Sequence, residues 1–90
     1  MSLTRIINKS RPHTNVPWFA FSSEYKQVLA DQGITFSVED VDSLNIRTTL
    51  VFPSSASKTA WESNPVVVQE LENLRKYTEF ANITVDSTEV

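Results

Sequence analysis

The chain has 90 residues, 40% of them hydrophobic, and carries eight Lys and Arg against eleven Asp and Glu, a formal net charge of -3. That length fits one domain over residues 1–90, and so apolar a composition excludes a disordered chain. The absence of Cys excludes a disulfide framework, the scattered basic residues argue against a nucleic-acid surface, and no stretch approaches the ~20 apolar residues that span a bilayer.

Thr4 to Lys9 (TRIINK) sets two Ile between polar residues and reads as a first strand, stopped by Pro12, which lacks a ladder donor. Ser10 to Val16 is loop, with Pro12 and Pro17 as brackets. Trp18, Phe19 and Phe21 follow as an aromatic cluster. It is expected to plug one end of the core, because aromatic rings bury large areas; a ligand or partner surface is the alternative. Ser22 or Ser23 can cap the next helix, with Glu24 in its first turn. Phe21, Tyr25, Val28 and Leu29 share one face, and Gly33, the only glycine, suits a helix end where φ turns positive. The helix is expected from Ser23 to Gln32.

Ile34, Phe36 and Val38 then alternate with polar residues, the period of a half-buried strand. Glu39 to Ser43 (EDVDS) reads as a polar turn. Leu44, Ile46, Thr48, Leu50 and Phe52 alternate again, so the two strands should pair as an antiparallel hairpin. Pro53 ends the second, and a short helix capped by Ser54 or Ser55 displays Ala56, Ala60 and Trp61 through Glu62. Asn64-Pro65 opens a long helix, Asn as N-cap and Pro at the first helical position. Val67, Val68, Leu71, Leu74 and Ala81 form its apolar side, each large residue worth ~1.5–3 kcal/mol when buried. Gln69, Glu70, Glu72, Asn73, Lys76 and Glu79 take the other side, with Glu72 and Lys76 spaced as a minor i, i+4 pair. Asn82 to Val85 resumes strand chemistry, and Asp86 to Val90 is expected to fray.

This order, βαββαβ with one extra short helix, is the ferredoxin-like α+β pattern: four antiparallel strands with the helices on one face. The other face carries Arg47, Thr49 and Val51, which is not fully polar. A chain this short builds a modest core and, with no Cys and one His, has neither disulfides nor an evident metal to support it. A second copy stacking on the outer face is the expected remedy, so a homodimer is predicted. The opening MSLTRIINKSRP has no apolar run of a signal peptide, and a cytoplasmic protein without membrane or nucleic-acid partners is expected.

No nucleophile-base constellation is visible. His13, the sole His, lies in the proline-bracketed loop with no orienting partner in evident spacing. Glu39, Asp40 and Asp42 lack the glycine and terminal Glu of a calcium loop and read as a solvated turn. An RNA-binding sheet would want a basic, glycine-bearing third strand, and NIRTTLVF has one Arg and no Gly. No catalytic, cofactor or metal residue is therefore assigned. Trp61 is expected in core or dimer packing, with an apolar pocket between helix and sheet as the functional alternative; Trp18, Phe36 and Trp61 would wall it.

The run FPSSASKTAWESNPVVVQELENL resembles the second half of dimeric α+β-barrel proteins, the superfamily of antibiotic-biosynthesis monooxygenases, over residues 34–85. The segments TRIINKSRP and FPSSASKTAW with NPVV are also similar to small proteins of marine tailed phages, which would place the chain in a host-cell cytoplasm. The barrel resemblance implies a homodimer. Its haem-degrading branch uses an Asn, a Trp and an iron-ligating His; Asn8 and Trp61 match the first two, but Pro65 to Phe80 holds no His. No cofactor is expected. The first expectation for function is a non-enzymatic homodimeric protein–protein interaction module, and the second a small cofactor-free oxygenase-like enzyme binding an apolar or aromatic substrate between helices and sheet.

Overall fold

The alternating run at residues 45–52 forms the centre of a four-stranded sheet. The computed structural model describes residues 2–90. Its elements are β1 (Leu3–Ser10), α1 (Ser23–Asp31), β2 (Thr35–Asp40), β3 (Asn45–Phe52), α2 (Ser55–Ser63), α3 (Pro65–Ala81) and β4 (Thr84–Glu89). All strand pairs are antiparallel, in the order β2-β3-β1-β4. With the helices packed on one face, the architecture is ferredoxin-like α+β.

Register arranges the inward side chains in rows across the sheet. Leu3 and Phe52 form the first, and Phe36, Leu50, Arg5 and Glu89 the second. Val38, Thr48, Ile7 and Ser87 form the third, and Asp40, Ile46, Lys9 and Val85 the fourth. The helices cover the first two rows: Tyr25, Leu29, Ile34, Leu50, Phe52, Trp61 and Val67 make the core cluster. Trp61 meets Phe52 edge-on at 5.3 Å between centroids, a favoured aromatic geometry. Ile46 is buried but lies outside that cluster.

Capping follows the side-chain chemistry. Ser22, Ser54 and Asn64 accept from the backbone N–H groups of Tyr25, Ser57 and Val66. Gly33 adopts φ 68° directly after the first helix. Asn82 adopts φ 58° and stops α3, so it is a helix cap where a strand residue was expected. β4 consequently begins at Thr84 and takes in Asp86 to Glu89, the segment expected to fray; pairing with β1 supplies its backbone bonds.

The long helix sits rotated from the expected stripe. Val67, Glu70 and Thr78 are buried, Leu71 and Leu74 half-buried, and Val68 is exposed. Glu70 turns inward because its carboxylate accepts the Ser22 N–H at 2.6 Å, which ties α3 to the start of α1. Glu72 pairs with Arg75 instead of Lys76, and Arg75 also reaches Glu79. In α2, Ser57 is buried in place of Ala56, its hydroxyl donating to the Gln32 carbonyl. On the outer sheet face Thr4, Ile6, Thr49 and Val51 form a half-buried quartet beside exposed Asn8, Glu39, Arg47 and Asp86. Among the described residues no helix is long and apolar enough to cross a membrane.

Candidate functional site: an aromatic cleft with a buried lysine

The helices stop short of the third and fourth rows. Residues 17–21 roof that end, leaving a cleft of about 250 Å³. Its floor is Lys9, Phe36, Val38, Asp40, Ile46 and Thr48, and its walls are Trp18, Phe19, Ala20, Phe21 and Lys26. Val38, expected on the half-buried side of its strand, is 52% exposed because it lies in this floor under no helix.

Aromatic contacts and hydrogen bonds hold the roof. Phe21 stacks on Tyr25 at 4.9 Å and meets Phe36 and Phe19 edge-on at 5.6 and 5.3 Å. Phe19 leans on Tyr77, whose hydroxyl donates to the Pro17 carbonyl. Arg11 clasps the other side. Its guanidinium donates to the Ser43 carbonyl at 3.0 and 2.6 Å and to the Val16 carbonyl at 2.8 Å, and lies 4.9 Å from the Trp18 ring. Trp18 is thus suspended between the β2–β3 turn and the proline loop.

Lys9 is the unusual charge. It is 5% exposed, its Nζ lies 5.2 Å from the Phe21 centroid, and among the described residues it makes no ion pair or hydrogen bond. Burial pushes its pKa below the usual lysine value, since desolvation disfavours the ammonium. Thr48 is 2% exposed, and its hydroxyl has no hydrogen-bond partner among the described residues. Arg5, on the same face of β1, contrasts with Lys9: it pairs with Glu89 at 3.6 Å, and Lys58 joins that carboxylate.

Of the residues expected to wall a pocket, Trp18 and Phe36 line the cleft and Trp61 does not. Trp61 is 2% exposed in the core, and its indole N–H has no hydrogen-bond partner among the described residues. Burial raises the pKa of the Tyr25 phenol, an effect that the Trp61 indole partly offsets. Asn8 points to the outer face, accepting from Arg47 at 3.2 Å, so it cannot share a site with Trp61. His13 is exposed in its loop. Asp42 is occupied by the turn: it accepts from the Leu44 and Asn45 backbone and the Asn45 amide, bonds that lower its pKa. Among the described residues no cluster of three or more His, Cys, Asp or Glu is placed to hold a metal.

Lys9 and Thr48 are the polar residues that sequence reasoning missed. Adjacent Ile6 and Ile7 blur which face of β1 is inward, and a Lys in a strand reads as solvent-facing. Other depressions lie elsewhere among the described residues, two of them comparable in size. One, beside Asn8, Ser10, Val41, Arg47 and Asp86, also touches Lys9; the other lies between Glu24, Pro65, Val66 and Gln69. Neither has an aromatic wall.

No family model matches the sequence, and no curated protein matches it. Solved structures do resemble the fold. SnoaB from Streptomyces nogalater, a cofactor-independent oxygenase, aligns with a TM-score of 0.55 at 11% identity, covering 99% of this chain and 90% of that one. A conserved Bacteroides thetaiotaomicron protein of unknown function, described as a possible oxidoreductase, gives 0.59 at 11% identity over 99% and 97% of the two chains. A candidate antibiotic-biosynthesis monooxygenase from Chloroflexus aurantiacus gives 0.53 at 21% identity over 98% and 90%. These comparisons lend the phage likeness no support. The chain shares the ferredoxin-like α+β fold of these solved structures.

Proposed function

We propose that this protein is a small cofactor-independent oxygenase-type enzyme that holds an aromatic substrate in the cleft over β2 and β3. The observation that carries the reading is the aromatic enclosure: Trp18, Phe21 and Phe36 surround a cleft on the helix side of the sheet, a setting suited to a flat apolar ligand. Likeness in fold to a cofactor-independent oxygenase supports it, although fold alone does not assign chemistry. The reaction class is oxidation of an electron-rich phenol, which itself supplies the electrons: a ring C–H and the phenolic O–H with O₂ give a quinone and water. A non-enzymatic interaction module accounts for the outer sheet face but gives the aromatic cleft no use.

The same reading pairs two copies through the outer face, where Thr4, Ile6, Thr49 and Val51 offer a self-complementary patch. Sedimentation equilibrium tests that pairing, and a strict monomer at micromolar concentration counts against it. Oxygen uptake and Trp fluorescence with a panel of phenols and hydroquinones test the activity. Saturable quenching that is lost in Trp18→Phe, with oxygen consumed and quinone formed, is the expected result. No quenching and no oxygen uptake with any member would remove the proposal.

A further inference from the structure

We infer that Lys9 and Thr48 together anchor an oxygen anion, so that the cleft selects aromatic anions over neutral aromatics. The inference rests on the cleft being the substrate site. Both residues are more than nine-tenths buried and both line the cleft. The Thr48 hydroxyl has no hydrogen-bond partner among the described residues, and Lys9, its Nζ over the Phe21 ring, has no ion pair there. A hydroxyl buried without a partner and an ammonium desolvated without a carboxylate both cost the fold. A carboxylate or phenolate oxygen accepts from both.

The charged form of Lys9 is the relevant one. Its Nζ over the Phe21 ring is a cation–π arrangement, which favours ammonium over free amine. That makes Lys9 a charge anchor and not a nucleophile. Asp40 does not neutralise it. The two occupy one row with Ile46 between them, which by strand spacing separates their backbones by roughly 10 Å. Arg5 shows the alternative on the same strand, an inward cation provided with Glu89. The remaining charged residue in the lining, Lys26, is exposed and adds a second positive charge. With Trp18, Phe21 and Phe36 around it, the space of about 250 Å³ is smaller than the ~300–1,000 Å³ of drug-sized sites. One or two fused rings fit it.

The test compares 2-naphthoate with 2-naphthamide, which share a ring system and differ in charge. Binding is followed by Trp fluorescence and by amide chemical shifts in wild type, Lys9→Met and Thr48→Val. The wild type is expected to prefer naphthoate by about tenfold or more, Lys9→Met to bind both probes equally, and Thr48→Val to keep a reduced preference. Retained naphthamide binding shows that Lys9→Met is folded. If that variant does not fold, the ¹⁵N titration of Lys9 Nζ in wild type decides: its pKa should rise when naphthoate binds and stay fixed with naphthamide. Equal affinity of wild type for both probes, an unchanged Lys9 pKa, or a preference that survives in Lys9→Met overturns the anchor while leaving the cleft as a site. Absence of binding by either probe, or shifts away from Trp18, Phe21 and Phe36, removes the cleft reading and the anchor with it. Trapping of 2-naphthaldehyde on Lys9 by borohydride would make it a nucleophile and overturn the anchor.

Discussion

The two ends of the inner sheet face are built from the same strands to opposite purposes. At one end Leu50 and Phe52 lie under Tyr25, Trp61 and Val67, and the inward cation Arg5 has Glu89. At the other, Ile46 and Thr48 lie under aromatic side chains carried by an irregular segment, and the inward cation Lys9 forms no ion pair among the described residues, Asp40 lying beyond Ile46 in the same row. The first end gains stability chiefly by filling its space, its unmet Arg5 Nε and Trp61 indole N–H notwithstanding. The second leaves its space open, with the unmet Thr48 hydroxyl and the Lys9 ammonium facing a cleft, which suits a binding surface.

Truncating one aromatic at each end should separate them most. Trp61→Ala removes a fully packed ring and should cost ~3–5 kcal/mol in denaturant titrations, whereas Trp18→Ala should cost less than about 1.5 kcal/mol and abolish ligand quenching. Equal losses would erase the distinction. Lys9→Met, which removes a desolvated ammonium, should raise stability modestly near neutral pH in the same titrations. The sign of its pH dependence follows from linkage. The folded pKa of Lys9 lies below the ordinary 10.5, so between the two values the unfolded chain binds more protons and stability rises with pH. The penalty is complete below the folded pKa and gone above the unfolded one. The gap between variant and wild type should therefore narrow as pH climbs toward 10.5. Tyr25, whose raised pKa works in the opposite direction, is common to both proteins and cancels.

Gly33→Ala should cost about 1 kcal/mol. The added Cβ would meet only Pro53 Cγ, at 3.8 Å, so the cost comes from φ 68° and not from crowding. Arg75→Ala should leave the denaturation midpoint unchanged, because its links to Glu72 and Glu79 are exposed.

The sequence carried the packed end more openly than the cleft. Strict alternation from Leu44 to Phe52, Gly33 after a helical stripe, and Asn64-Pro65 each signal one local geometry, and all three appear. Where two periodicities competed, the reading slipped: Val66, Val67 and Val68 in succession hide which faces inward, and only Val67 is buried. Asn82 looked like strand because Ile83 and Val85 follow it, yet its tolerance of positive φ makes it a stop. The cleft depends on residues far apart in the chain. Lys9, Phe21, Phe36 and Thr48 meet only through strand register and the path of a loop, neither of which has a short-range signature.

Arg11 and Tyr77 hold the roof at two separate points, one at the β2–β3 turn and one on α3. The opening can therefore be adjusted at two places, with Phe21 keeping the roof on Lys9 and Phe36. Changes at either peg would alter how wide the opening is, while the charge and shape read at the bottom stay with Lys9, Thr48 and Phe36. A chain built this way can drift toward larger or smaller guests without rewriting the sheet that holds it together.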